Sequence, residues 1–551
     1  MKTGSRSGGK RSAVSLVIPD LIRNLWPNGW AVLVVGICVW GIVESGYGLF
    51  QVLGWRSSRH ALFALTGHFQ NPGPFGGFIA CVMAVAGAWV MGFADRGRRM
   101  TGGSRRMTEE ETGMMTEGAG MAEDSSLSLR MTRRSLRMTM VVNGIAWAAL
   151  GMGFLVLPAS MSRAGWLGLA VALGVEWMRS PIRSGMTKEG SGTTQPSRHA
   201  GQRSGIRWVA GVALCLALLV GAFLLKPDSA LGRVHVWRME CRAIAERPWT
   251  GAGPGMGPWA YGEAQEAFFR EHLETASPAT IRVAGCPDHA YNEYLGIGVE
   301  HGIPAMVLAV LLVVSSIAVL HKAGSPLAAG LTAWSVFACA SYPLAVPQLR
   351  ILGSVFIVAA VITGALQTGG RCLRYAALLP LVSAVALTLW IKIPGQARND
   401  GRMVRNDGRM VRNDGRMVRN DAAEDIRAVY AEGYALHQAG RYAESTELLE
   451  KGALMSCDPM FEIIMGKNAE ALGDFGRAAA LYEKAHYMVP SRLYPLVRLM
   501  RLQVRQGRDG EALATARQIV AMPVNGRNAG MVRLHGDAAQ ALDSLKTVIG
   551  R

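Results

Sequence analysis

The sequence has few cysteines, and none has the spacing of a metal site. Its 551 residues include eight cysteines, with no Cys-x-x-Cys pair and no Cys/His set spaced like a zinc site. Zinc ribbons and similar centres need such closely spaced ligands. We therefore expect no metal. Four cysteines stand in apolar runs, where we expect them to be small buried hydrophobic residues: Cys38, Cys81, Cys215 and Cys339.

Charged residues are also scarce. Only 18% of the residues are charged, whereas 50% are hydrophobic and the mean hydropathy is +0.19. The apolar residues are clustered rather than periodic, which predicts an integral membrane protein. The net charge of +18 falls mainly in the connections between apolar runs and in one short repeat. Because basic and aromatic residues do not cluster on a soluble domain, we expect no nucleic-acid partner.

The apolar runs predict about nine membrane spans. They are placed at 30–54, 74–94, 141–157, 164–178, 207–226, 303–321, 326–345, 350–367 and 372–392. The basic segment 1–29 has no small-residue cleavage site, so we interpret it as a cytoplasmic N-terminus and not as a removable signal peptide. The arginine-rich connections 95–140 and 179–207 also belong in the cytoplasm, since short cytoplasmic loops carry the excess of Lys and Arg. Alternation of the spans then places the segment 227–302, and everything after residue 392, on the outer side.

The outer segment 227–302 is longer than a connection requires. Long ordered loops are usually functional, and this one is rich in polar residues between two apolar runs. It carries Arg233 and Trp237, then Gly251-Ala-Gly-Pro-Gly255, then Asn292-Glu-Tyr-Leu295. We predict that this loop contains the functional site.

The loop resembles that of the O-antigen ligase and polymerase family. The resemblance is carried by Arg233 with Trp237, by Pro248 leading into the glycine-rich run, by Tyr261, by Asn292-Glu-Tyr-Leu295, and by Glu300 followed by Gly302-Ile-Pro. Upstream, Gly67-His-Phe-Gln-Asn71-Pro72 and Ser162-Arg163-Ala-Gly resemble two further family signatures. The likeness extends over roughly residues 30–370.

This resemblance implies a bacterial inner-membrane enzyme of lipopolysaccharide biosynthesis and the cell envelope. Such enzymes transfer a glycan from a polyprenyl diphosphate to an acceptor hydroxyl, and they need no nucleotide, metal or other cofactor. The expected partners are the lipid-linked glycan donor, a lipid or glycan acceptor, and the membrane. Polymerisation of repeat units, transfer to protein, and a non-catalytic membrane scaffold remain alternatives.

Two arginines are the candidate diphosphate-binding residues, because a guanidinium is always charged and offers paired donors to phosphate oxygens. Arg163 begins a span at the outer surface, and Arg233 lies four residues before Trp237, so the two share a helix face. Interfacial anchoring is the alternative for both arginines. Trp237, Arg238 and Tyr261 are further candidate substrate-binding residues. The glycine-rich run reads as a structural turn, since Pro254 removes a backbone donor that a phosphate-binding loop would need.

His289 is the candidate general base. Pro287-Asp288 is interpreted as a helix start with Asp288 as N-cap, which would place His289 in the first turn, where the helix dipole favours a neutral imidazole. Asn292 and Glu293 would then follow on the same face as candidate substrate-binding residues. In the family, a histidine often stands at the position of Tyr291. Three interpretations stay open: His289 acts from a non-helical approach, Tyr291 binds substrate, or no histidine acts as base. His60, His68 and His235 are weaker candidates.

The chain after the spans has two parts. Residues 393–424 form a linker with Gly-Arg-Met-Val-Arg-Asn-Asp three times in tandem, which we expect to be a disordered spacer, like the Met- and Arg-rich stretch 99–140. Residues 425–551 have glycine-marked units with a period near 34 and resemble tetratricopeptide repeats, which form stacked helix pairs that bind proteins.

The predicted fold is therefore all-α. It comprises a cytoplasmic segment 1–29, a transmembrane domain 30–392 with an extracytoplasmic loop, the linker, and a C-terminal α-solenoid. Cys241 and Cys286 both fall in the outer loop and could form a disulfide if it faces an oxidising periplasm.

Overall fold

The computed structural model describes residues 14–60, 63–110, 122–179, 221, 227–366, 419–524 and 528–549. Within these ranges the regular secondary structure is entirely helical, in agreement with the predicted fold class. The α-helices are α1 (Val14–Val52), α2 (Pro72–Glu110), α3 (Ala122–Val156), α4 (Arg163–Arg179), α5 (Pro227–Glu246), α6 (Gly257–His272), α7 (Pro278–Val283), α8 (Glu293–Lys322), α9 (Leu327–Ala338), α10 (Pro347–Leu366), α11 (Arg419–Gln438), α12 (Tyr442–Ala453), α13 (Met460–Ala471), α14 (Phe475–Met488), α15 (Tyr494–Arg505), α16 (Asp509–Ala521) and α17 (Ala529–Ile549).

The chain divides into two compact units. The span unit comprises Met1–Ala222 and Val310–Val385, and the loop unit comprises Phe223–Ala309 and Ala386–Arg551. The long helix α8 therefore contributes residues to both. The large loop shares its unit with the C-terminal helices, although they are far apart in the chain.

Five helical segments within the described ranges are long and apolar enough to cross a membrane. They are Trp30–Val52, Pro72–Gly92, Thr139–Val156, Glu293–Lys322 and Pro347–Ala365. They agree with five of the nine predicted spans. The prediction of nine is not confirmed.

The other four predicted spans differ in their outcome. The span at 164–178 corresponds to α4, a helix of 17 residues, and the span at 326–345 contains only the 12-residue α9 before a 3-10 turn at Pro343–Ala345. The spans at 207–226 and 372–392 fall outside the described residues apart from Gly221, as does most of the tandem-repeat linker.

The stretch 99–140 was expected to be a disordered spacer, and this expectation is wrong for its described parts. Helix α2 continues to Glu110 and α3 begins at Ala122, both well beyond the apolar spans. Methionine, arginine and glutamate have high helix propensity, and no proline interrupts the stretch. A helix nucleated in a span can therefore propagate outward.

Small residues set the packing of the span unit. Helix α2 is its centre and packs against α1, α3, α4, α9 and α10. A Cβ at Gly165 of α4 would lie 2.8 Å from the carbonyl oxygen of Gly76 in α2, and a Cβ at Gly168 would lie 2.7 Å from that of Ala333 in α9. Only glycine permits such close approach of backbones, which is a common basis of helix packing in membranes.

The C-terminal helices of the loop unit pack in chain order, each against the next. Their core includes Tyr482, Val497 and Ile519, all fully buried. Gly440, Gly473 and Gly507 each have a positive φ in the turns after α11, α13 and α15. Glycine is favoured there because the left-handed conformation carries no steric penalty for it. Helix α14 also packs against α6 of the large loop.

Candidate functional site

Helix α5 presents Arg233 and Trp237 to the same residue of the loop. The indole Nε1 of Trp237 donates a hydrogen bond to the carbonyl oxygen of Tyr291 at 3.3 Å, and the Arg233 guanidinium carbon lies 5.4 Å from the centroid of the Tyr291 ring. The predicted common face of the two residues is thereby confirmed. The contact of Arg233 is a cation–π interaction, so its charge is held against a half-buried aromatic ring.

Tyr291 has an unusual backbone conformation. Its φ is 51°, in the left-handed region that few residues other than glycine adopt. Such a conformation costs on the order of 1 kcal/mol or more and persists only when surrounding contacts hold it. Burial raises the pKa of the Tyr291 hydroxyl, Asp288 raises it further and Arg233 opposes the shift. The hydroxyl is thus a hydrogen-bond donor at neutral pH.

The predicted helix start at Asp288 is wrong. Helix α8 begins at Glu293, and Asn292 is its N-cap: Asn292 Oδ1 accepts hydrogen bonds from the backbone N–H groups of Tyr294 at 3.1 Å and Leu295 at 3.2 Å. His289 lies in the bend before the helix and is half-buried. The dipole argument for a neutral His289 therefore fails, and so does the common helical face with Asn292 and Glu293. Glu293 itself is buried, at 8% exposure.

The glycine-rich run is a structural turn, as predicted. Gly251, Gly253 and Gly255 all have positive φ. A Cβ at Gly251 would lie 2.4 Å from the backbone carbon of Glu300, so the turn packs directly on the backbone of α8.

A break in α8 supplies the acceptors for this turn. At Gly302 the helix has φ 84° and ψ 171°, so the Ile303 N–H leaves the helical ladder and donates to Pro248 O at 2.7 Å. Pro304 has no N–H to donate. The carbonyl oxygens of residues 299 and 300 are thereby left without their usual helical donors. They accept instead from Ala252 N at 2.7 Å and Gly253 N at 3.0 Å, respectively.

Tyr261 lies in the core of the loop unit, which argues against the predicted direct contact with substrate. It is 1% exposed, and its hydroxyl donates to Gln265 Oε1 at 2.5 Å. His235 Nε2 donates to the same oxygen at 2.8 Å. Burial lowers the pKa of His235 even though its bond to Gln265 opposes the shift, so this histidine is neutral at pH 7. Gln265, which the sequence analysis did not identify, also donates to Gly285 O at 3.0 Å. It thereby fixes the irregular segment that leads to the bend before α8.

Arg238 points to a different neighbour from Arg233. Its guanidinium carbon lies 4.9 Å from the ring centroid of Phe268 in α6, on an exposed part of α5. Arg242 lies against the same ring at 5.3 Å and pairs with Glu271 at 3.3 Å. Arg238 and Arg242, five and nine residues after Arg233 on α5, therefore both lie against Phe268 of α6.

Arg163 is the first residue of α4, at one end of the span unit. It follows Met161, which has a φ of 52°, and Ser162, whose Oγ accepts from Gly165 N at 3.3 Å and caps the helix. The same Oγ donates to Gly73 O at 2.9 Å. Ser162 thus contacts the first turn of α2, and Arg163, the next residue, is half-buried.

A disulfide joins the loop to the C-terminal helices. It links Cys286 to Cys457, so the predicted pairing of Cys286 with Cys241 is wrong; Cys241 is exposed and carries a free thiol. Gly262 makes the approach possible, since a Cβ there would lie 3.1 Å from the Cys457 Cβ. The linked Cys286 stands three residues before His289 in the chain.

Polar contacts reinforce this junction. Lys484 Nζ of α14 lies 2.8 Å from Glu263 Oε1 of α6 and 3.0 Å from Glu462 Oε1 of α13. Glu462 is 5% exposed, and burial raises the pKa of its carboxyl although Lys484 opposes the shift. The Arg270 guanidinium carbon lies 4.8 Å from the Tyr487 ring centroid. The loop and the C-terminal helices thus share one core.

Comparison with known protein families gives a match over part of the chain. Residues 147–310 match the sequence profile of a family described as O-antigen ligase. This region covers under a third of the chain, and it includes every residue predicted for the site, from Arg163 to Glu293. No curated protein and no solved structure matches the chain. Within the described ranges, no group of three or more His, Cys, Asp or Glu side chains is arranged to hold a metal ion.

Proposed function

We propose that this protein is a membrane glycan transferase of the O-antigen ligase type. It would move a glycan from a polyprenyl diphosphate to an acceptor hydroxyl on the outer face of the inner membrane. The observation that carries the proposal is the cluster of Arg233, Trp237 and Tyr291, which lies within the region that matches the ligase family. The family match supports the class of reaction, and the cluster supports the choice of Arg233, Trp237 and Tyr291 as site residues.

The chemistry requires a positive group at the departing diphosphate. Stabilising the charge that develops there is usually the largest single catalytic contribution. Arg233 suits this task because its guanidinium is held against the Tyr291 ring, 5.4 Å from the ring centroid. Arg163, half-buried at the first turn of α4, is the corresponding candidate in the span unit.

The bend before α8 is proposed to contact the substrate sugars. It presents His289, Asn292 and Tyr291 in an irregular backbone that Gln265, Trp237 and the nearby disulfide stabilise. Strained backbone of this kind is often found at functional sites. We assign His289 a hydrogen-bonding role and not that of the base. Its prediction as the base required a helix that begins at His289, whereas α8 begins four residues later, at Glu293.

The loop and the C-terminal helices are proposed to lie in the same oxidising compartment. The Cys286–Cys457 disulfide supports this placement, because such bonds persist outside the reducing cytoplasm. We further propose that the C-terminal helices are tetratricopeptide-like. The support is their packing in chain order and the regular positive-φ glycines in their turns.

The test is transfer by the full-length protein in nanodiscs. The donor would be an undecaprenyl diphosphate-linked oligosaccharide, offered with a panel of lipid, glycan and peptide acceptors. We expect Arg233→Ala to lower the rate by about 10²–10³-fold, the effect of removing one group that stabilises a developing negative charge. Arg233→Lys should recover part of it, since the charge remains but the planar fork is lost.

Arg242→Ala is the matched control, because Arg242 lies on the same helix and contacts Phe268 and Glu271. It should retain the wild-type rate. Equal rates in Arg233→Ala and wild type would refute the role of Arg233. Wild-type protein that transfers nothing to any acceptor would favour a non-catalytic scaffold. If transfer occurs, a lipid acceptor indicates a ligase, a glycan acceptor a polymerase, and a peptide acceptor protein glycosylation.

A further inference from the structure

An ionisable side chain lies inside the first candidate membrane span. Glu44 of α1 is 5% exposed and lies eight residues before the end of the segment Trp30–Val52, about 12 Å along a helix. A carboxylate at such a position is costly and indicates both a partner and a function. The partner is His68: Glu44 Oε2 lies 3.0 Å from its Nδ1 and accepts from its backbone N–H at 3.3 Å.

The position of His68 is set by one face of α1. Glu44, Tyr47 and Gln51 follow one another at intervals of three and four residues, so they share that face. The Tyr47 ring stacks on the His68 ring with centroids 3.9 Å apart. Gln51 Oε1 accepts from the backbone N–H groups of Thr66 at 2.9 Å and Gly67 at 2.7 Å. The segment that precedes His68 is therefore held by side chains of a rigid helix.

This arrangement leaves one ring nitrogen of His68 for chemistry. Glu44 Oε2 already accepts the backbone N–H of His68, and as an acceptor it places the ring hydrogen on Nδ1 and the lone pair on Nε2. The Glu44 side chain is 7% exposed whereas that of His68 is 41% exposed, so the ring extends from a buried anchor towards solvent. A carboxylate that orients an imidazole and stabilises its protonated form is the usual support of a histidine base.

The same end of the span unit carries Arg163. Gly67 packs against Phe75, since a Cβ at Gly67 would lie 2.5 Å from that ring, and Ser162 Oγ donates to Gly73 O at 2.9 Å. The segment before His68 and the residue before Arg163 therefore both contact the first turn of α2. His68 and Arg163 thus each follow, by one residue, a residue that contacts this helix end.

We infer that His68 is the general base of the proposed transfer and that Glu44 is its positioning residue. This inference depends on the proposed function and deepens it. His68 Nε2 takes the proton of the acceptor hydroxyl as the acceptor oxygen bonds to the anomeric carbon. The bond from that carbon to the diphosphate breaks, and the polyprenyl diphosphate leaves with the electron pair. The proton on His68 then passes to solvent.

The test compares five variants of the full-length protein in the nanodisc assay. His68→Gln should lower the transfer rate by about 10²–10⁴-fold, the usual contribution of a general base, while binding of undecaprenyl diphosphate stays at the wild-type level. Glu44→Gln should lower kcat with little change in KM, because the ring loses the acceptor that fixes its orientation, and Glu44→Asp should recover part of the rate. Among the described residues, Tyr47 stacks on the His68 ring and Arg59 donates to the His68 carbonyl at 2.8 Å, and both stay unchanged in these variants.

His60→Gln is the matched control on the same loop and should leave the pH–rate profile as in wild type. His289→Gln tests the competing base: loss of the acid limb of this profile in this variant, with His68→Gln retaining it, would overturn the inference. If His68→Gln does not fold, the two Glu44 variants decide, since a purely structural pair would lower stability without lowering kcat of the folded protein. Wild-type protein without transfer activity refutes the proposed function instead, so the two failures are distinguishable.

Discussion

The Cys286–Cys457 disulfide gives the sharpest prediction for the loop unit. Replacing either cysteine by serine should destabilise this unit, because the cross-link restricts its unfolded chain. The two residues are 171 positions apart, for which the chain-entropy relation gives roughly 5 kcal/mol as an upper bound. The spans between them stay in the membrane when the loop unit unfolds, so the effective loop is shorter. We expect about 2–4 kcal/mol, within the range usually measured for native disulfides.

The assay is thermal unfolding in nanodiscs combined with hydrogen exchange of peptides from 227–309 and 419–549. A loss of 2–4 kcal/mol should lower the Tm of the unit by roughly 4–16 °C. Exchange should accelerate in both segments, because they share the core that includes Tyr261, Phe268 and Cys457. Cys241→Ser is the matched control and should behave as wild type, since Cys241 is exposed and free.

Two outcomes would refute this reasoning. The first is mass spectrometry of the unreduced protein that finds Cys286 linked to Cys241. The second is an unfolding curve of Cys457→Ser that superimposes on that of Cys241→Ser. Either result would also remove the support for placing the C-terminal helices in the same compartment as the loop.

Two further predictions concern the loop. Gly302→Ala should destabilise the loop unit by a few kcal/mol in thermal unfolding, because φ is 84° and a Cβ would lie 2.4 Å from Trp249 O. Gly255→Ala, in the same unit with φ 72° and nothing within 4 Å of a Cβ, should cost about 1 kcal/mol, and equal costs would contradict the close-packing argument. Glu240 is 3% exposed, and burial, with the nearby Glu300 carboxylate adding, raises its pKa from 4.5 to about 8. Between pH 4.5 and 8 the folded state therefore keeps a proton on Glu240 that the unfolded state loses. The contribution of this group to the free energy of unfolding is complete below pH 4.5 and is lost as the pH rises towards 8. Glu240→Gln should remove this decline, and parallel stability–pH curves would show that the carboxyl is not shifted.

Several features were predictable from sequence because they depend on local pattern. Runs of about 20 apolar residues placed five spans, since span length is set by the thickness of the bilayer. The spacing of Arg233 and Trp237 predicted a common helix face, and both contact Tyr291. The glycines of the run 251–255 predicted a turn with close backbone contact, as observed.

The start of α8 was not predictable in this way. Asp288 and Asn292 are both good N-cap residues, so capping preference alone does not choose between them. The choice follows from Tyr291, whose left-handed conformation interrupts any helix that begins at Asp288. That conformation is held by contacts with α5, more than 50 residues earlier in the chain.

Tyr261 shows the same limit. Its motif position indicated a role in the site, but its burial against Gln265 and Cys457 depends on the packing of α6 against α14. Gln265 likewise could not be predicted from the sequence, because its role is a hydrogen bond to a backbone carbonyl that only the fold brings near. The sequence offered one signal for the disulfide, since Cys241, Cys286 and Cys457 are cysteines outside the apolar runs. Which two of them pair depends on distances in the folded chain, which the sequence does not give.

The amino-acid sequence by itself determined that this is a helical membrane protein with a polar loop and a C-terminal helical array, because hydrophobicity and helical periodicity act over short stretches of chain. Only the tertiary structure decided which cysteine Cys286 meets, where α8 begins, and that Glu44 supports His68. These depend on contacts between segments far apart in sequence, and their geometry follows from packing and not from any local pattern.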